Sequence, residues 1–301
     1  MTGISVVIPT FGRNEVLVHT ITRLLSQMPL NGELIVVDQT PEHDSETNDA
    51  LEAWDSAGQI RWLRLSEPSV TRAMNQGLLA AAHSVVLFVD DDIDPARELV
   101  VEHLNIHHRW SGDLVAGRVI QPWQMDLPAD PGSPFNSPNE GPRTEFMGGN
   151  FSVKRCAALA MGGFDENFRF AAYRYEREFA DRLQNQGGRI YYIPHAVVYH
   201  LQAPRGGVRS FGSHLTTASP GHSQGAYYYL LGSGRGWFSR ILKRFLLAPM
   251  TRFHLKKPWF IPLTIIAELR GLLLAVRLRQ RGPKLLSARD IEISDESQVI
   301  S

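Results

Sequence analysis

The first third of the chain alternates short apolar, β-branched runs with helix-patterned segments. Ile4–Ile8 (ISVVI, closed by Pro9), Glu33–Asp38 (ELIVVD) and Ser84–Val89 (SVVLFV) read as strands buried on both faces. Ile60–Leu65 (IRWLRL) alternates as a half-buried strand would. Between them, Asn14–Met28 puts Val16, Leu17, Ile21, Leu24, Leu25 and Met28 on one helical face. Thr47–Ser56 suits a helix, and so does the Ala-rich Ser69–Ala82, with Ser69 as its N-cap. Pro95 is expected to open a further helix towards Trp110. Strands alternating with helices predict an α/β fold with an open, mainly parallel, doubly wound sheet. Such sheets bind ligands beyond the carboxyl ends of their strands. Thr10, Asp38 and Asp90-Asp91-Asp92 stand at those ends.

The middle of the chain is patterned differently. Gln121–Pro142 is rich in Pro, Gly, Asn and Asp and reads as a long loop. Helices are expected around Cys156–Met161 and over Tyr175–Gln186, and short strands over Arg189–Ile193 and Ala196–Tyr199. Ala203–Gln224 is Gly-, Ser- and His-rich and reads as mobile. In the last third, Trp259–Leu278 approaches the length of a spanning helix. Glu268, Arg270 and Arg277 interrupt it, so it reads as interfacial or docked on a partner.

At 301 residues, 43% hydrophobic and 21% charged, the composition is that of a globular protein with a sizeable core. The single Cys156 excludes an internal disulfide and any multi-cysteine metal site, and it fits a reducing compartment. The N-terminus lacks a basic and then apolar leader, so no signal peptide and a cytoplasmic location are expected. The zero net charge hides an asymmetry: residues 235–284 carry twelve Lys/Arg against one acid, Glu268. Such a basic end is expected to meet something anionic, and a membrane surface is the partner we expect of 235–284. Packing of these helices on the core or on a second subunit is the competing expectation. No nucleic-acid partner is expected.

The strongest chemical signal is Asp90-Asp91-Asp92, because adjacent carboxylates at the end of a buried strand repel unless a cation joins them. Asp38 stands ready to accept hydrogen bonds from a base or ribose. Arg72 and Asn75, at the start of an Ala-rich helix, are candidates for the same crevice. The His103/His107 pair has helical i, i+4 spacing but no third ligand nearby, so it is expected in the core or on the surface. GxxxxGK[ST], GxGxxG and HExxH are all missing from the sequence.

The runs SVVIPTFGRN, ELIVVDQT, SVTRAMNQG, VLFVDDDI, FMGGNFSVKR, GGFDENFRF and EREFADRLQNQGGRIYYIPHAVVYH resemble glycosyltransferase family 2 in content and order. The resemblance covers residues 4 to about 201. It implies a GT-A fold and inverting transfer from a nucleoside-diphosphate sugar, most simply a UDP-sugar, to a saccharide or lipid-linked acceptor, as in bacterial-type polysaccharide or glycolipid synthesis. It implies donor-nucleotide contacts from Pro9, Thr10, Asp38, Arg72, Asp90 and Asp91, and Arg13 and Asn75 are further candidates for the same contacts. Asp90, Asp92 and His200 would hold Mn²⁺ or Mg²⁺, and Gly148, Gly149 and Asn150 would line the sugar and acceptor pocket. The family usually has Glu-Asp at the start of a helix, with the Asp as catalytic base. Here Tyr175-Glu176 stands there, so Glu176 is the expected base, with Glu178 and Asp165 in reserve.

On this reading, residues 1–112 form the nucleotide-sugar-binding half of the domain and 113–210 the acceptor-binding, catalytic half. Residues 211–301 form a basic, helical extension. The alternatives are a non-catalytic nucleotide-sugar-binding protein, favoured by the Tyr175-Glu176 departure, and a sugar-1-phosphate nucleotidyltransferase. The latter is disfavoured because PTFGRN supplies only one Gly and one Arg after the first strand.

Overall fold

The computed structural model describes residues 3–234 and 236–300, with side chains described as far as Ser294. Arg235, counted in the basic segment, lies outside the described residues. The first half runs β1 (Ile4–Thr10), α1 (Glu15–Leu25), β2 (Gly32–Asp38), α2 (Ser45–Ser56), β3 (Arg61–Arg64), α3 (Val70–Ala80), β4 (Val85–Val89), β5 (Ile93–Pro95) and α4 (Leu99–Arg109). It continues through β6 (Leu114–Ile120), β7 (Gly141–Arg143), β8 (Asn150–Lys154), α5 (Arg155–Ala160), α6 (Tyr175–Asn185) and β9 (Ile190–His200). The C-terminal helices are α7 (Gln224–Gly232), α8 (Trp237–Leu247), α9 (Arg252–Lys256), α10 (Ile261–Arg281) and α11 (Ala288–Ile300).

One nine-stranded sheet has the order β3-β2-β1-β4-β8-β6-β9-β5, with β7 on β9. β1 to β4 are parallel, as the strand–helix alternation predicts. β8 then enters antiparallel beside β4, and β6 and β9 run parallel to each other. Alternate side chains of the central strands serve opposite faces. Val7, Ile35, Val37 and Phe88 pack with α3, α5, α6 and the C-terminal helices. Val6, Ile8, Val36 and Leu87 pack with α1, α2 and α4. Each central strand is therefore covered on both sides, which is why its sequence is continuously apolar rather than alternating.

Three local expectations change. Pro95 ends β5 instead of opening a helix; its segment pairs with β9, and α4 begins only at Leu99. The two expected strands at 189–199 are one strand, Ile190–His200, with an irregular register against β6 between Gly117 and Arg118. Ala203–Gln224 is not free chain: it folds through short 3₁₀ turns at Gly207–Phe211 and Pro220–His222 over the strand ends. Its tethers, described below, are long-range and leave no mark in local composition.

The C-terminal helices dock on the core. Tyr227 and Tyr228 of α7 and Ala275 and Leu278 of α10 belong to the same buried cluster as Phe88 and Phe151. Glu268, the one acid of the basic segment, is buried and accepts from Tyr227 Oη (2.6 Å) and from Arg244 Nε (3.1 Å). Gly271 lets α10 approach α7, since a Cβ there would collide with Ser223. The segment expected to be interfacial or partner-docked thus has an inner face committed to this chain.

Candidate active site

A cleft of about 330 Å³ opens at the carboxyl ends of β1 and β4. Pro9, Thr10, Asp90, Asp91 and Asp92 line its floor, Gly148, Gly149 and Glu176 one wall, and His200 another.

His200 reaches the acidic triplet through strand pairing. β5 and β9 are antiparallel with Ile93 opposite His200, and the Leu201 amide donates to the Asp92 carbonyl (2.8 Å). His200 Nε2 lies 3.2 Å from Asp92 Oδ1. Its Nδ1 lies 2.9 Å from Gln121 Oε1, which also accepts from Gln202 Nε2 (2.9 Å). A carbonyl oxygen held in this way accepts from Nδ1, fixes the ring and points Nε2 at the carboxylates.

One donor atom each from Asp90, Asp92 and His200 lie within 4.8 Å of one another, the one such group among the described residues. Burial, reinforced by the charges of Asp92 and Asp91, pushes the Asp90 carboxyl up to about 7. Burial likewise lifts Asp91, to about 6 against the pull of Arg13. Burial also opposes ionisation of Asp92, but its His200 and Ala203 hydrogen bonds and the Arg13 charge prevail and hold it low. His200 is raised despite burial, by its bond to Asp92 and the charge of Asp90. A buried carboxylate short of positive charge beside an oriented imidazole fits a divalent cation that accepts oxygen and nitrogen ligands, as Mn²⁺ and Mg²⁺ do.

Two glycines allow the acids this proximity. A Cβ on Gly149 would collide with the Asp90 carboxylate, and one on Gly148 would collide with Tyr175 Oη and itself come within 3.4 Å of Glu176 Oε1. Glu176 sits in the first turn of α6, behind Arg174 in the left-handed region (φ 81°). Burial, aided by the Asp90 charge, pushes the Glu176 carboxyl up to about 7 against its backbone hydrogen bonds. A carboxylate poised near neutrality in a cleft suits proton abstraction. The reserves lie elsewhere. Glu178 is paired with Arg182 (2.8 Å), and Asp165 accepts from Tyr228 Oη (2.7 Å) and the Lys284 amide.

Several expected donor contacts point away from the cleft. Both Asp38 oxygens are engaged, by the Thr40 amide (2.8 Å) and by Trp62 Nε1 (3.0 Å) and His43. Arg72 lies 3.4 Å from Glu67 on the surface. Asn75 is buried against the backbone of Phe164 (2.7 and 2.9 Å). Asn150, next to two cleft glycines, turns inward to His103 and to the carbonyls of Arg118 and Ala196. Its alternation along β8 sends it to the sheet's other face. Arg13 and Asp91 line the cleft but hold each other (3.1 Å); Arg13 also bonds Asp92 (3.0 Å) and the carbonyls of Ala203 and Arg205. They brace the floor more than they offer it to a ligand. His103 is a core residue, as expected, bonded to Ser152 and Asn150.

The sequence reading missed Gln121 and the segment after His200. The Ala203 amide donates to Asp92 (2.9 Å) and the Gly207 amide to the Phe11 carbonyl (2.7 Å). This brings Val208, Arg209 and Phe211 over the cleft, with Phe211 stacked on Phe11. The glycine pair Gly206-Gly207, both at positive φ, was the available signal.

Fold and site together define a doubly wound α/β protein whose cleft is built around an acid–histidine cluster. The chain belongs to glycosyl transferase family 2, whose family model matches residues 5–162. It is 33% identical over 106 residues to an N-acetylglucosaminyl-diphospho-decaprenol L-rhamnosyltransferase of Mycobacterium tuberculosis, covering 35% of this chain and 32% of that protein. It is 28% identical over 121 residues to the poly(ribitol-phosphate) beta-N-acetylglucosaminyltransferase TarP of Staphylococcus aureus, covering 39% of this chain and 37% of that protein. The matches thus span about a third of each relative's length. Among solved structures, the mannosyltransferase PcManGT of Pyrobaculum calidifontis, in complex with GDP-Man and Mn²⁺, shares the fold with a TM-score of 0.55 at 19% identity. That likeness covers 93% of this chain and 79% of the other. S. aureus TarS 1-349 does so with a TM-score of 0.53 at 16% identity, covering 66% and 60%. The expected GT-A fold is that of these neighbours.

Proposed function

We propose that this chain transfers a sugar from a nucleoside-diphosphate sugar to an acceptor hydroxyl with inversion at the anomeric carbon. The observation that carries the reading is the convergence of Asp90, Asp92 and His200 on one side of a cleft whose other wall holds Glu176. Pro9 and Thr10 would flank the nucleoside, and Gly148 and Gly149 the sugar. Asp90, Asp92 and His200 would hold Mn²⁺ or Mg²⁺, which supplies positive charge for the departing diphosphate. Glu176 accepts the proton of the acceptor hydroxyl as that oxygen attacks the face opposite the leaving group. The segment carrying Val208, Arg209 and Phe211 helps to exclude water from the cleft.

A UDP-sugar is the favoured donor and a saccharide or lipid-linked saccharide the acceptor, in polysaccharide or glycolipid synthesis. The work would take place on the cytoplasmic side of a membrane, with the basic stretch 235–284 facing its anionic surface.

Calorimetry of UDP, GDP and dTDP, each with and without Mn²⁺, tests the site. One nucleotide should bind with Mn²⁺ and lose that dependence in Asp92→Ala. Equal binding by Asp92→Ala, or none by the wild type, overturns the donor site. Donor-site binding with near-wild-type turnover in Glu176→Gln overturns the role of Glu176.

A further inference from the structure

The C-terminal helices turn their inner faces to the core and leave a second face uncovered. On α8, Phe238, Leu242 and Leu246 follow one another at i, i+4 and i+8, and all are exposed, Phe238 at 65%. On α10, Ile266, Leu269, Leu273 and Val276 make a stripe opposite the buried Thr264, Ala267, Gly271 and Ala275, with Leu273 exposed at 60%. Between the helices, Met250, Leu255 and Trp259 are exposed at 66% or more. Arg244, bonded to Glu268, joins α8 to α10, and His254 of α9 bonds Thr264 of α10 (2.8 Å). These bonds tie α8 and α9 to α10. Exposed apolar rows of this kind, rimmed by charged residues, mark an interaction face.

We infer that α8 and α10 lie in the plane of an anionic lipid bilayer, with these two stripes sunk among the acyl chains and the flanking cations at the headgroups. This deepens, and rests on, the proposal that 235–284 meets an anionic membrane. Charge complementarity selects the occupant. Lys243, Arg252, Lys256, Lys257, Arg270 and Arg277 are exposed on the same elements, while Glu268, the one acid of 235–284, is buried. A second copy docked face to face would set one such cationic surface against another, which an isologous contact does not tolerate. Anionic headgroups neutralise it, and Trp259 suits the headgroup level. Pro258–Arg281 is long and apolar enough to cross a bilayer. A crossing would strand Arg270 and Arg277 in hydrocarbon and strip Glu268 of Tyr227 and Arg244, so the helix lies flat.

The test is co-sedimentation of the full chain with phosphatidylcholine vesicles, with and without phosphatidylglycerol. Nucleotide binding is measured in parallel as the fold control. The wild type should bind the phosphatidylglycerol vesicles, less so at high salt. Leu242→Glu combined with Leu273→Glu should lose at least about tenfold in vesicle affinity with nucleotide binding unchanged. Arg270→Gln with Arg277→Gln should lose about tenfold on anionic vesicles only. If the wild type binds and the double-Glu variant binds equally, embedding is overturned while attraction of the basic end survives. If the wild type binds neither vesicle, both fail. A dimer in light scattering that the double-Glu variant dissolves would show that a second copy covers the face and would overturn the inference. None of these outcomes bears on sugar transfer, which is read separately by turnover.

Discussion

His200 lies 3.2 Å from Asp92, across 108 residues of sequence, because β5 and β9 pair with Ile93 opposite His200. Gln121 fixes the ring from behind. Replacing Gln121 with Leu should free the imidazole and weaken Mn²⁺-dependent nucleotide binding about 10–100-fold, with nucleotide alone unaffected. Calorimetry at several Mn²⁺ concentrations checks this. Unchanged Mn²⁺ dependence would remove Gln121 from the site.

Glu176→Gln should lower turnover by roughly 10²–10⁴-fold while nucleotide affinity holds. In the wild type, turnover limited by the chemical step should rise with pH through about 7, as the Glu176 carboxyl ionises. A flat profile between about pH 6 and about pH 8 in the chemical step would contradict the assignment.

The same residue predicts a stability effect of opposite sign. Its folded value, about 7, lies above the ordinary 4.5, so the fold favours the protonated form. That advantage is full below about 4.5 and is lost as pH rises through about 7. Glu176→Gln, which cannot ionise, should therefore be more stable than the wild type above pH 7, by on the order of 1–3 kcal/mol. The gap should shrink towards about pH 5. Urea midpoints across that range measure it.

Gly149→Ala should abolish turnover, because its Cβ would collide with the Asp90 carboxylate. Gly149 is not among the positive-φ glycines, so the effect is steric and displaces Asp90. A cost of about 1–3 kcal/mol is expected. Loss of Mn²⁺-dependent nucleotide binding in a folded variant would locate the damage at Asp90.

Glu268→Ala should destabilise the whole chain by about 2–4 kcal/mol, leaving Arg244 and Tyr227 without their shared partner. A single denaturation transition should persist, since α7 and α10 are part of the main core. A separate early transition would mean that the C-terminal helices melt on their own.

Much of the frame was legible because it rests on local pattern. Continuous apolar runs marked the buried strands, Ser69 marked the start of α3, and its hydroxyl does accept from the Arg72 amide. Asp90–Asp92 stood out because three acids at the end of such a run need an explanation. Pro95 misled because β9 recruits its segment into the sheet, a partner some hundred residues distant.

What the sequence alone determined was therefore the order of strands and helices, the end of the sheet that carries chemistry, and the family. These follow from side-chain spacing within a few residues. Only the tertiary structure decided which polar groups face the cleft. Asn150 and Gly149 are neighbours, yet the pleat sends one to the core and leaves the other against Asp90. Asp38 is closed off by Trp62 and His43, while Phe211 and Arg209 arrive from beyond the matched region. The uncovered stripes of α8 and α10 were likewise hidden, because a helix has an inside only once something packs on it, and here Tyr227 and Ser223 chose which side that was.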